Sequence, residues 1–234
     1  MASFIQTFLT KILHTLYVIP STIYDMIISN FLTKYSYERL VFYMNQRNPK
    51  RILDIGVGTG SPLKHIWNQL PQNCEVLGVD IDQAYVLKAN NIFRNYNLGG
   101  RKLEIRYQNF YEVSERKEGK FDAVVFSSSF MLMPKRIEAL ELAKSLLNPG
   151  GSIYFILTLQ PDSKKNSTFL QFVEYIKPKI KYFTTIDFGQ ITYEKEFETL
   201  LSKTQLKIVN KEKLNKEFNI PTKIFRVFVY ETKV

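Results

Sequence analysis

The chain is short of the residue types that make a site on their own. Its 234 residues include one cysteine, Cys74, which cannot form a disulfide within the chain, and no Cys/His cluster has the spacing of a structural zinc site, so no metal is expected. Histidine occurs only at His14 and His65, which leaves few side chains that exchange protons near neutral pH. With 10 glycines and 9 prolines the sequence is neither collagen-like nor of low complexity, and it carries no internal repeat. No uninterrupted apolar run reaches the roughly 18 residues of a bilayer-spanning helix. The cysteine usage fits a reducing compartment, cytoplasmic in the simplest reading, with mitochondrial and membrane-peripheral placements as alternatives.

What is present is apolar and aromatic: 45% of the residues are hydrophobic and 14% aromatic, enough to build one real core in a chain of this length. Thirty-two basic residues against 22 acidic ones leave a net charge of +10, which favours contact with polyanions. The lysines are spread rather than packed into a run, however, so a solvated surface accounts for them and a nucleic-acid partner is not expected.

The first 20 residues stand apart. Phe4, Ile5, Phe8, Leu9, Ile12, Leu13, Leu16 and Tyr17 recur as adjacent pairs every fourth residue, which predicts an amphipathic helix ended by Pro20. The segment lacks the basic start and small-residue cleavage site of a secretory signal, and it has no arginine, unlike a mitochondrial transit peptide. Three roles fit it: a lid over the protein's own pocket, a helix lying on a membrane, and a docking element for a partner protein. Only Lys11 stands on its polar face among Lys and Arg residues, which weakens the membrane reading. A second helical stretch, Ser21 to Phe42, leads to the domain proper, so the expected division is 1–42 and 43–234.

From Arg51 onward, short apolar runs alternate with amphipathic segments, the pattern of a largely parallel sheet wrapped by helices. Strands are predicted at Arg51 to Ile55, Glu75 to Asp80, Lys102 to Gln108, Phe121 to Ser127 and Ser152 to Leu159. Helices are predicted at Pro62 to Leu70, Gln83 to Tyr96 and Pro134 to Leu147, each proline taking a first helical position. In the last of these, Ile137, Leu140, Ala143 and Leu147 form the expected inward stripe. Two further helices, near Thr168 to Lys177 and Tyr193 to Ser202, precede strands at Leu206 to Asn210 and Lys223 to Glu231 that can pair antiparallel.

The chemistry is concentrated at Leu53-Asp54-Ile55-Gly56-Val57-Gly58-Thr59-Gly60, a buried strand running into alternate glycines and a proline-opened helix. Such a turn lets backbone approach a ligand and aims helix N–H donors at it. The next strand ends at Val79-Asp80, which sets a carboxylate beside the turn, where it can accept both hydroxyls of a ribose. The glycine spacing is G-x-G-x-G rather than the dinucleotide pattern G-x-G-x-x-G, because Ser61 stands where the third glycine would fall.

In these residues, and in Phe121-Asp122-Ala123-Val124-Val125-Phe126 and Leu147-Asn148-Pro149-Gly150-Gly151, the chain resembles the class I, seven-strand S-adenosylmethionine-dependent methyltransferases from about Tyr35 to Val234. The resemblance implies an α/β fold with a seven-stranded, mostly parallel sheet in the order 3-2-1-4-5-7-6, strand 7 antiparallel, preceded by N-terminal helices. It implies S-adenosylmethionine as cofactor, with Gly56, Gly58 and Gly60 along its methionine and ribose part and Asp54 on the amino group, directly or through water. By the same likeness Asp80 holds the ribose hydroxyls, Ile81 lies on the adenine face, Asn109 and Phe110 adjoin the adenine edge, and Ser127 offers its carbonyl to the amino group. Many members have an acidic residue where this chain has Asn109, whose amide can still accept a hydrogen bond.

Methyl transfer from a sulfonium needs an aligned acceptor and sometimes a base, so no single catalytic motif marks the substrate. After the fourth strand the chain reads Ser127-Ser128-Ser129-Phe130-Met131, not the (Asp/Asn)-Pro-Pro-(Tyr/Phe) signature of exocyclic-amine enzymes acting on nucleic acids. Cys74 stands before the second strand, away from any methyl group. Phe130, Met131 and Met133 are candidates for an apolar acceptor wall, with His14, Tyr24, Tyr35 and Tyr37 as further lining groups and no base assigned. The expected acceptor is a small molecule, apolar or amphipathic. A methyltransferase-fold accessory subunit of a larger assembly and an RNA or protein methyltransferase are the rival readings.

Overall fold

The apolar runs at Arg51–Ile55, Glu75–Asp80 and Phe121–Ser127 fold as central strands because their apolar residues are buried on both faces. A computed structural model of the protein describes residues 34–164, 167–184, 189–214 and 226–234. The expected helix over residues 1–20, with His14, and the position of Tyr24 lie outside the described residues. The strands are β1 (Arg51–Ile55), β2 (Glu75–Asp80), β3 (Lys102–Tyr107), β4 (Phe121–Ser127), β5 (Leu147–Leu159), β6 (Lys207–Lys213) and β7 (Arg226–Lys233). They form one sheet in the order β3-β2-β1-β4-β5-β7-β6, parallel except where β7 runs antiparallel to β5 and β6. The order reverses between β1 and β4, which opens a crevice at the carboxyl ends of these strands.

Helices α1 (Lys34–Asn45), α2 (Ser61–Ile66) and α3 (Gln83–Phe93) cover the front of the sheet. The short α4 (Glu115–Glu118) precedes β4, α5 (Arg136–Ser145) and α7 (Glu194–Lys203) cover the back, and α6 (Thr168–Thr184) runs on past Pro178. Proline opens α2 as expected, and Asp82 caps α3 by accepting from the N–H groups of Ala84 at 2.8 Å and Tyr85 at 3.2 Å. At α5 Leu140 and Ala143 face inward as expected, and Ile137 does not. The helix starts at Arg136, after Pro134, and buries Ala139, Leu140 and Ala143, so Ile137 points outward and is 46% exposed. The small alanines are what fit against the sheet, and Leu147 belongs to β5, whose start is five residues earlier than predicted.

Two apolar layers result. The front layer packs Tyr37, Leu40 and Met44 of α1 with Trp67, Ala89 and the sheet residues Ile52, Val125 and Ile156. The back layer is a chain of rings: Phe126 stacks on Phe155 at 5.3 Å, and Phe130, Phe197 and Tyr230 meet their neighbours edge-on at 5.1 to 5.5 Å. Beside the front layer the buried Glu231 accepts from Arg47 at 2.9 Å, Ser152 at 3.0 Å and Asn210, so the carboxylate is paired where it is desolvated. Among the described residues no helix is long and apolar enough to cross a membrane.

Candidate functional site

A cavity of about 680 Å³ opens in the crevice at the carboxyl ends of β1, β2 and β4. That volume is in the range of small-ligand sites. Its floor is the turn after β1. Gly56 and Gly58 both adopt the left-handed conformation, with φ of 75° and 58°, for different reasons. A Cβ on Gly56 would drive into the Cβ of Ser129, so this glycine admits the segment after β4. A Cβ on Gly58 would meet nothing within 4 Å, because the position faces the cavity. Gly60 is a packing glycine instead: a Cβ there would come within 3.0 Å of Ala89 of α3, and the residue is not on the cavity wall.

Asp80 ends β2 at the cavity edge, where one carboxylate oxygen accepts from the Gly58 N–H at 2.9 Å and the other from the Asp82 N–H at 2.8 Å. Partial burial holds its pKa above the ordinary carboxylate value, against the pull of these N–H donors. The carboxylate therefore locks the glycine turn and presents its remaining lone pairs to the crevice. Beside it Ile81 is 71% exposed, and across the cavity Leu132 is 45% exposed. Two large apolar side chains left bare around one concavity make a face for a flat apolar group.

Asn109 lines the cavity, and its side-chain oxygen already caps the turn at Phe110–Glu112 by accepting from the Tyr111 N–H at 3.1 Å. The second lone pair stays available to a ligand amino group. The Phe110 ring is buried edge-on against Phe126 at 5.7 Å, which ties this rim to the back layer.

At the other end of the cavity Ser127 donates through Oγ to Asp54 Oδ1 at 2.8 Å. Asp54 is fully buried behind this wall and does not line the cavity; desolvation first, then the charge of Asp80, raises its pKa to about 7 against the Ser127 hydrogen bond. Tyr37 of α1 is buried, and burial first, then the charge of Asp54, holds its hydroxyl well above the ordinary tyrosine pKa. Next comes Ser128, a non-glycine residue with φ of 61°, whose N–H donates to Ile156 O at 3.0 Å while Ser129 Oγ donates to Ile55 O. Such strain persists where the surroundings impose it and is concentrated at functional sites.

Of the expected acceptor wall, Met133 lines the cavity, whereas Phe130 and Met131 do not. Phe130 is fully buried, its ring held among Phe126, Phe155 and Phe197, so it belongs to the core. Met131 packs on the same layer and its carbonyl accepts from the Gln190 N–H at 3.1 Å; neither residue reaches the cavity, where Leu132 and Pro134 stand beside Met133. Sequence spacing could not show this, since the 3-10 turn at Phe130–Leu132 decides which apolar side chain faces in. Tyr35 packs against the front layer rather than the cavity. His65 meets Glu38 Oε1 at 2.8 Å, outside the cavity. Tyr85 and Tyr111 line it without any signal in the sequence pattern.

The parts fit S-adenosylmethionine: an open glycine face, a ribose-height carboxylate, exposed apolar side chains for a heterocycle, and a buried acid near the methionine end. Residues 52–151 match the family model of the methyltransferase domain. The chain is 26% identical over 135 residues to a tRNA1(Val) (adenine(37)-N6)-methyltransferase from Histophilus somni, covering 50% of this chain and 56% of that protein. It is 24% identical over 131 residues to a protein-lysine N-methyltransferase, efm4, from Schizosaccharomyces pombe, covering 49% and 53%. The chain thus spans about half the length of the curated relatives it matches. A tRNA enzyme among them removes the support for setting nucleic acid aside. Among solved structures, an S-adenosylmethionine-dependent methyltransferase from Clostridium acetobutylicum superposes with a TM-score of 0.61 at 15% identity, over 91% of this chain and 96% of that one. The sheet order and the superposition show the fold of the class I S-adenosylmethionine-dependent methyltransferases, and residues 52–151 match the methyltransferase domain within it.

Proposed function

We propose that the protein transfers a methyl group to a small acceptor that has an apolar face. When bound, S-adenosylmethionine supplies a methyl group on a sulfonium that is already activated for displacement. The chain's residues then bind and align. Asp80 holds hydroxyls, Gly58 admits the ligand to the backbone, and Ile81 covers an apolar ring face. The observation that carries the acceptor reading is the wall of Leu132, Met133 and Pro134 on the same cavity, which offers dispersion contacts and no charge. The displacement itself asks for alignment, and the exclusion of water by that wall serves it.

Calorimetric titration of the full chain with S-adenosylhomocysteine, beside Asp80→Asn, tests the cofactor half. Micromolar binding weakened about a hundredfold in the variant is the expected result; a folded wild type that does not bind moves the weight to an accessory-subunit role.

An RNA acceptor is the second reading, favoured by the tRNA methyltransferase relative and by the net charge of +10. Ser127-Ser128-Ser129-Phe130 stands where exocyclic-amine enzymes carry their signature, which counts against it. Steep loss of RNA binding with added salt would support RNA, and its absence would remove that acceptor. Removing residues 1–20 separates the lid role, which changes ligand binding, from the membrane or partner role, which changes liposome flotation or elution volume.

A further inference from the structure

Among the described residues, Asn48, Asn73, Gln205 and Ser128 are the non-glycine residues with a left-handed backbone. The first two are asparagines, which tolerate it, and Gln205 ends α7, where the Leu206 N–H closes back on Leu201 O at 2.9 Å. Ser128 has no such reason. With φ of 61° it stands on the cavity wall, and its neighbours hold it there: the Ser127 hydroxyl is tied to Asp54 at 2.8 Å, the Ser129 hydroxyl to Ile55 O, and the Ser128 N–H to Ile156 O at 3.0 Å. The residue so held is exposed, and its hydroxyl has no hydrogen-bond partner among the described residues.

The N–H groups of the glycine turn, by contrast, are engaged within the protein. Gly56 and Val57 donate to Val79 O at 2.8 and 3.2 Å, Gly58 to Asp80 at 2.9 Å, and Gly60 to Val57 O at 3.2 Å. The Ser127 and Ser129 hydroxyls donate to β1 as well. On the described wall between the turn and Leu132, the Ser128 O–H is therefore the side-chain donor left for a ligand. The amino-acid end of S-adenosylmethionine brings an ammonium, which an acid behind Ser127 favours, and a carboxylate, which needs an N–H or O–H donor.

Resting on the reading of this cavity as the S-adenosylmethionine site, we propose that the Ser128 hydroxyl donates to the carboxylate of the bound cofactor, and that the left-handed backbone persists because it turns the hydroxyl toward that group. Strain kept for a ligand has a recognisable consequence. Glycine would hold the same backbone without steric cost and would lack the hydroxyl, so stability and affinity move in opposite directions at this one position.

Thermal unfolding of the full chain, and calorimetric titration with S-adenosylhomocysteine and with 5′-methylthioadenosine, which lacks the amino-acid end, read both halves on wild type, Ser128→Gly and Ser128→Ala. Circular dichroism checks the fold. Ser128→Gly should melt about 2 °C above wild type, after the greater freedom of glycine in the unfolded chain is subtracted, and Ser128→Ala, which keeps the strain, within about 1 °C of wild type. Both variants should bind S-adenosylhomocysteine about tenfold more weakly and 5′-methylthioadenosine within about twofold of wild type. Unchanged S-adenosylhomocysteine affinity in either variant overturns the proposal. An equal loss for the two ligands overturns it as well, because the hydroxyl then serves no carboxylate. So does a Ser128→Gly protein that melts no higher than Ser128→Ala, since the backbone would then hold no strain for the ligand to justify. A folded wild type that binds neither compound ends the cofactor reading itself, a distinct result.

Discussion

The back layer of the sheet and the cavity end of the same strands use aromatic and apolar residues to opposite effect. Behind the sheet, Phe126, Phe130, Phe155, Phe197 and Tyr230 are wholly buried, each ring in stacked or edge-on contact with the next. A few residues along the chain, Ile81 and Leu132 stand open to solvent, Ser128 takes a left-handed conformation, and Asp54 is a desolvated acid. One layer satisfies every packing rule, and the other breaks several within one cavity. The comparison locates the function, because departures from local consistency concentrate where binding has to be accommodated. It also assigns stability to the back layer and ligand binding to the rim at the strands' carboxyl ends, a division that substitutions can break.

The largest effect is expected at Phe155. Its ring touches Phe126, Phe130 and Phe197, so Phe155→Ala leaves a cavity at the centre of the layer and lowers stability by about 3–5 kcal/mol. Thermal unfolding reads the loss, and S-adenosylhomocysteine affinity of the molecules still folded should stay within about threefold of wild type. A selective loss of binding with little loss of stability would show that the two regions are not separable.

The opposite pattern is expected at Asp54. Its folded pKa of about 7 exceeds the ordinary 3.8, so the folded state binds the extra proton. The stability linked to this group is complete below about pH 4, is lost as pH rises between about 4 and 7, and does not return above that range. Asp54→Asn removes the penalty of a buried charge while keeping an acceptor for the Ser127 hydroxyl. At pH 8 the variant should be the more stable by roughly 2 kcal/mol once an unpaired amide N–H is allowed for. Near pH 4 the advantage should vanish, and ligand binding should weaken throughout. A variant less stable than wild type at pH 8 would mean that the ionised acid holds the front rim together and is no burden to it.

The strand positions and the glycine turn were legible in the sequence because they depend on local signals, namely apolar runs of strand length, glycines at fixed offsets and Asp80 at a strand end, whereas the strand order was implied by the resemblance to the methyltransferases. The line between core and cavity was not. Phe130 and Leu132 are two residues apart in one apolar segment, and the short 3-10 turn that buries the first and exposes the second leaves no mark in composition. Asp54 was recognisable as a candidate, whereas its place behind Ser127 depends on a contact between residues 73 positions apart. Ile137 was misplaced for a related reason: the inward face of α5 is set by alanines, which periodicity weighs less than isoleucine.

Gly56 and Gly58 make the finest version of the comparison, since one glycine is required by packing and the other faces the open cavity within a single turn. Gly58→Ala places a methyl group in open space, so its structural cost is the left-handed backbone alone, about 1 kcal/mol. The same methyl group projects toward the cavity and should weaken S-adenosylhomocysteine by about tenfold, a loss larger than the strain explains. Gly56→Ala carries the same backbone strain and adds a collision with Ser129, whose hydroxyl is held by Ile55 O and cannot simply swing aside. Its stability should therefore fall well below that of Gly58→Ala, with binding lost as a consequence of the displaced segment. Thermal unfolding and calorimetry on the two variants separate these outcomes. If Gly58→Ala binds as wild type does, the ligand does not approach the turn at that point, and the cavity must be filled from the side of Leu132.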